Sequence, residues 1–192
     1  MNRFDINHTW FTSDTHFYHK NIIKYCDRPF NNVEEMNKTL IDNWNSVVKE
    51  GDTVFHLGDT GFCGVQNLIS IFSQLNGDIH LIRGNHDTDK QVNALFDNDL
   101  ILRWNQYESI TMVGDEEIPE QELFLCHYPM IDWNNKERGC WMIHGHNHML
   151  PNTPSHSPKH YDIGVDKNNY TPINFQTIKE QITKQLLYEN KY

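Results

Sequence analysis

The sequence predicts a layered α/β sandwich, and three observations predict it. Short apolar, β-prone runs end one after another in polar loops rich in Gly, Asp or His. Segments of helical spacing separate the early runs, which is the pattern of βαβ units. The second half then turns β-rich before a last helical segment.

The elements follow in order. Thr9-Trp10-Phe11-Thr12 is the first strand and runs into Ser13-Asp14. Val33, Met36, Leu40, Ile41, Trp44, Val47 and Val48 recur at helical spacing, with Asn32 at the N-cap, Glu35 placed to complete it and Gly51 past the far end. Thr53-Val54-Phe55-His56-Leu57 leads into Gly58-Asp59, and a helix is expected over 65–75. Ile79-His80-Leu81-Ile82 leads into Arg83-Gly84-Asn85-His86-Asp87, with a third helix over 88–96. A β-rich stretch over 100–126, broken by an acidic, Pro-containing turn at 114–121, ends at His127. Trp141-Met142-Ile143 runs into His144-Gly145-His146, and Asn174 caps a C-terminal helix marked by Phe175, Ile178, Ile182 and Leu186.

No low-complexity tract, repeat or linker divides the 192 residues, so a single domain spanning 1–192 is expected. The net charge of −10 repels polyanions and disfavours a long nucleic acid as partner. Four scattered cysteines form no C-x-x-C pair, which excludes a zinc ribbon or dithiol redox site. With no apolar leader and no membrane-length apolar stretch, the expectation is a cytoplasmic protein with reduced thiols and no membrane association. Oligomeric state leaves no signal in the sequence.

Histidine is the unusual component: there are 12, seven of them in the short strings DTH, HLGD, GNHD, CHYP and HGHNH. In Asp14-Thr15-His16 and His146-Asn147-His148, an extended backbone would point both outer side chains the same way. Gly84-Asn85-His86-Asp87 offers an amide oxygen, an imidazole and a carboxylate in succession beyond a strand. Each block alone has an ordinary explanation as a turn, cap or strand end. Their joint occurrence, in order and each ending an apolar run, is hard to obtain by coincidence. Two carboxylates, an amide oxygen and four imidazoles form a mixed N/O donor set suited to first-row divalent metals. Seven ligands exceed one open tetrahedral zinc site and fit a shared pair of ions.

The blocks D-x-H, G-D, G-N-H-D, a lone H and G-H-x-H, running from Asp14 to His148, resemble the pattern of the calcineurin-like metallophosphoesterases. The resemblance implies a four-layer α-β-β-α sandwich, two facing mixed sheets flanked by helices. It implies one metal on Asp14, His16 and His148, another on Asn85, His127 and His146, and Asp59 bridging them. Manganese is the foremost candidate, with Fe, Ni, Co or Zn as alternatives. His86 would be the non-ligand catalytic histidine, oriented by Asp87. This chain lacks the further acidic residue that many members carry after G-D.

The activity so implied is hydrolysis of a small, nucleotide-like phosphate ester by in-line attack of metal-activated water. Arg28 and Arg83 are candidate phosphate contacts, because a guanidinium can donate two parallel hydrogen bonds; a surface ion pair is the alternative for each. Asp162 and Asp166 could accept N–H groups of the metal histidines, set against an ordinary strand and turn. Competing functions are a nuclease, which would show a basic groove, a protein phosphatase, and a catalytically silent metal-binding scaffold.

Overall fold

The computed structural model describes residues 2–114, 119–148 and 157–189. Among these residues the strands form two mixed sheets. The first joins β1 (Asn2–Asp5), β6 (Tyr107–Val113), β7 (Gln121–Cys126), β8 (Trp141–His144) and β9 (His160–Asp162), in that order. The second joins β10 (Ile173–Asn174), β2 (Thr9–Thr12), β3 (Thr53–His56), β4 (Asp78–Ile82) and β5 (Arg103–Asn105). Strands β2 to β5 are mutually parallel, as are β7, β8 and β9, so each set sends its C-terminal ends to one edge of its sheet. The layered α/β architecture expected from the sequence is therefore present. Residues 115–118 of the 114–121 turn lie outside the described residues.

Alternation along the strands builds two cores. Phe11, Phe55, Leu57 and Ile82 from the second sheet meet Ile110, Met112, Leu123, Leu125 and Ile143 from the first. The opposite parity, Val54, Ile79 and Leu81, packs under the helices. These are α1 (Ile22–Tyr25), α2 (Val33–Val47), α3 (Val65–Phe72) and α4 (Asp89–Asp97). The last helix, α5 (Phe175–Glu189), packs against β9, β10 and β2 and puts Phe175, Ile178 and Ile182 into the inter-sheet core. Trp133 and Cys140 cover Phe124 and Met142 on the other face of the first sheet. No described helix is long and apolar enough to cross a membrane.

Capping follows the sequence closely. Asn32 accepts a hydrogen bond from the Glu35 N–H, and Thr88 forms a reciprocal box with Gln91. Met36, Leu40 and Trp44, spaced at one face of α2, are buried. The Trp44 indole also donates to the Asn76 carbonyl at 2.9 Å, tying α2 to the turn before β4. Trp44→Ala removes both the packing and the donor. It is expected to cost about 3–5 kcal/mol, read as a lower urea midpoint. A loss below about 1 kcal/mol would show that the helical layer contributes little there.

Candidate metal centre

Five loops converge at the strand ends. Asp14 and His16 follow β2, Asp59 follows β3, Asn85 follows β4, His127 follows β7, and His146 and His148 follow β8. Backbone bonds stitch neighbouring loops within each sheet: Asp14 N–H to the Gly58 carbonyl and His16 N–H to the Asp59 carbonyl in the second, and Gly145 N–H to the His127 carbonyl in the first. The approach is close enough to demand glycine. A Cβ on Gly145 would lie 2.1 Å from Ser13 Oγ and 2.3 Å from Asp14 Oδ2, and one on Gly84 would lie 2.3 Å from Asp59 Oδ1.

The donor atoms meet as two overlapping groups. Asp14, His16 and His148 can bring one ligand atom each within 4.8 Å of one another, and so can Asp14, Asp59 and His127. Asp59 Oδ2 stands between two imidazoles, 3.6 Å from His16 Nε2 and 3.5 Å from His127 Nε2. Asn85 Oδ1 stands between another two, 3.0 Å from both His127 Nε2 and His146 Nδ1. His16 Nε2 is buried without a hydrogen-bond partner. A buried ring nitrogen facing a carboxylate at 3.6 Å with no proton acceptor in reach fits a lone pair aimed at a cation. His127 Nδ1 lies 2.7 Å from the Leu57 carbonyl, so that nitrogen carries the proton and Nε2 is left as donor. The donor set present therefore fits divalent ions.

Protonation reflects the burial. Burial pushes the Asp14 carboxyl up to about 7. It pulls His16 down to about 2, keeping that ring neutral as a ligand must be. At Asp59 burial works upward, but the His127 imidazole beside it prevails and holds the carboxyl well below its ordinary range.

The structure corrects three expectations. The D-x-H and H-x-H segments are not extended: Asp14, His16, Asp59, His146 and His148 all have positive φ, between 47° and 71°. Arg28 is no phosphate contact. It is buried, its Nε and Nη2 clasp Asp166 at 2.8 and 2.9 Å, and its remaining donors take the Asp14 and Thr15 carbonyls. Asp87 does not orient the His86 ring. Its carboxylate accepts from the N–H groups of Asp59, Thr60 and Gly84 and from the Thr60 hydroxyl, locking two ligand loops together. Arg83 takes the sequence alternative, donating to the Asp87 carbonyl and pairing with Asp89.

Asp166, left open by the sequence, supports a metal histidine: its Oδ2 lies 2.7 Å from His148 Nδ1. Directly after the first motif, where the sequence allows either a cleft wall or an ordinary loop, His19 lines the site, and Phe62, which the sequence does not single out, joins it. His19 Nδ1 is 3.2 Å from His16 Nδ1, and its ring stacks on Phe62 at 4.6 Å. His86 is exposed, 5.5 Å from the His16 ring, with its N–H on Asp59 Oδ1 at 2.8 Å.

Gly145→Ala is expected to displace Asp14 and lower bound metal at least tenfold, measured as manganese retained after gel filtration. Retention equal to the parent would show that the loop yields. The Asp14 carboxyl sets a second expectation. Raised from its ordinary 3.8 to about 7, it keeps its proton in the folded, metal-free chain while the unfolded chain loses it. Its contribution to metal-free stability is thus full below about pH 4 and is lost as pH rises toward 7. Metal must displace that proton below pH 7, so affinity weakens there by up to about tenfold per pH unit. Titration calorimetry in buffers of different ionisation enthalpy would count the released proton. An Asp14→Asn chain with the same pH dependence would refute the assignment.

Comparison with known proteins agrees with this geometry. The calcineurin-like phosphoesterase family profile matches residues 8–189. An uncharacterized protein of Methanocaldococcus jannaschii is 39% identical over 178 residues, covering 90% of this chain and 89% of its own. The gene 66 protein of Mycobacterium phage L5 is 28% identical over 183 residues, covering 84% of this chain and 87% of its own. A crystal structure of a protein of unknown function from Aquifex aeolicus superposes with a TM-score of 0.67 at 26% identity, over 90% of this chain and 97% of that one. Taken with the donor cluster at the strand ends, these matches mean that the chain belongs to the calcineurin-like phosphoesterase family, a family of metal-dependent phosphoesterases.

Proposed function

We propose that this protein hydrolyses a small, nucleotide-like phosphate ester with the help of two divalent ions, manganese foremost. The observation that carries the reading is the position of Asp59 Oδ2 between His16 Nε2 and His127 Nε2, where one carboxylate could serve two cations. On this reading Asp14, His16 and His148 would hold one ion, Asn85, His127 and His146 would hold the other, and Asp59 would serve both. The N/O donor set suits Mn, Fe, Co, Ni or Zn better than calcium.

Bound divalent ions supply Lewis acidity, drawing charge from the phosphoryl oxygens and acidifying water. Water then attacks phosphorus, the P–O bond to the leaving group breaks, and the leaving oxygen takes a proton. His86, exposed beside the cluster, is the donor of that proton. Its backbone N–H on Asp59 ties its place to the carboxylate at the centre of the site. Asp166 and the Leu57 carbonyl fix the tautomers of His148 and His127. The acidic balance of the chain, −10, favours a small substrate over a long polyanion.

The test is metal-dependent release of nitrophenol from nitrophenyl phosphates, with a chelator control. His86→Ala is expected to keep its metal while turnover falls roughly 10²–10⁴-fold. Full activity in that variant would remove His86 from the chemistry. A folded, metal-loaded parent chain inert on every ester would sink the hydrolase reading and leave a metal-binding scaffold.

A further inference from the structure

Two hollows share one wall beside the donor cluster. The larger, about 800 Å³, reaches His16 and His148 and is walled by Ile22, Tyr25, Asp27 and Phe62. The smaller, about 400 Å³, is walled by Cys63, Val65, Thr88 and Lys90. Both are lined by Phe62 and His86, so the proposed proton donor stands at their junction.

Lys90 gives the smaller hollow one cation, but the walls of the larger differ in chemistry from what a phosphate dianion requires. Among the described residues the larger hollow presents no Lys or Arg and does present a carboxyl, Asp27. The two arginines offered by the sequence as phosphate contacts are committed elsewhere, Arg28 to Asp166 and Arg83 to Asp89. What the larger hollow offers is a run of rings. Tyr25 meets His19 edge-on at 6.2 Å, His19 stacks on Phe62 at 4.6 Å, and Phe62 meets His86 edge-on at 5.9 Å. Tyr25 and Phe62 are 74% and 57% exposed, so each keeps ring surface open to a ligand although His19 covers one face of Phe62. A monoester brings two charges to such walls and has one arm, which can fill one hollow only. A diester brings one charge, and a ring on its second substituent is what these side chains can hold.

Building on the hydrolase reading above, we infer that the substrate is a phosphodiester whose two arms occupy the two hollows, the larger arm an aromatic or heterocyclic ring against Phe62, His19 and Tyr25. Water adds at phosphorus, the P–O bond to one arm breaks, and that arm leaves as an alcohol carrying the proton. The other arm stays on a phosphomonoester, which is the product. That product carries a second charge, which the larger hollow with its Asp27 carboxyl does not compensate, and it has lost one of the two arms that held it, so it departs instead of reacting again.

The experiment uses the full chain loaded with manganese and three probes: bis-p-nitrophenyl, methyl p-nitrophenyl and mono-p-nitrophenyl phosphate. The diaryl ester is expected to react with at least tenfold higher kcat/KM than the monoester and to stop at one nitrophenol per molecule. In Phe62→Ala, the ratio of kcat/KM for the diaryl ester over the methyl ester, which share a leaving group, is expected to fall at least fivefold, mainly through KM. Tyr25→Ala, at a more exposed position, is expected to lower the same ratio and serves if the first variant misfolds. Equal or faster monoester turnover, two nitrophenols per diester, or an unchanged ratio in both variants would overturn the inference while leaving the hydrolase reading intact. Inactivity on all three probes with metal bound would overturn both.

Discussion

Asp14 and Asp59 place two carboxylates in one buried cluster, within reach of the same imidazole of His127. Like charges out of water repel strongly and lose hydration, so each must be neutralised by a proton, a cationic partner or a metal. The protein divides these remedies unequally. Asp59 draws on His127, while Asp14 holds a proton up to about pH 7. Divalent cations would serve both at once, which is why the site's charge balance and its chemistry are one problem.

The scaffold answers with rigidity at each loop. Parallel strands deliver the ligand segments to common edges, and the glycines at 84 and 145 let the backbones close to distances that no Cβ would allow. Asp87 then binds the second and third ligand loops by four donors. Arg28 and Asp166 do the same on the other side: Arg28 holds the carbonyls of Asp14 and Thr15, and Asp166 reaches His148. Breaking such a buried pair by removing one partner typically costs about 3–5 kcal/mol, because the other charge is stranded. These residues hold the loops of the donor cluster in position.

Much of this was legible in the sequence where the signal is local. The N-caps Asn32 and Asn174, the face of α2 and the strands that end in motif residues all follow from short-range patterns, and the structure reproduces them. What was illegible depends on long-range pairing or on backbone handedness. Asp166 meets Arg28 across 138 residues, and no spacing rule reports that. Arg28 looked like a phosphate contact because guanidinium chemistry suits phosphate, and the same chemistry suits the carboxylate it meets. The motif residues were read as extended because alternation is the simplest way to aim two side chains together; a left-handed residue at each ligand achieves it by another route. β1 was missed because Asn2-Arg3-Phe4-Asp5 at the sheet edge is mostly exposed and offers one apolar side chain.

That handedness has an evolutionary side. A non-glycine residue in the left-handed region costs roughly 1–2 kcal/mol, and Asp14, His16, Asp59, His146 and His148 all sit there. Glycine would relax every one of them while deleting its ligand. Selection for heat resistance alone would therefore drift toward a sturdier, empty shell, and only selection on turnover would hold these five side chains in place.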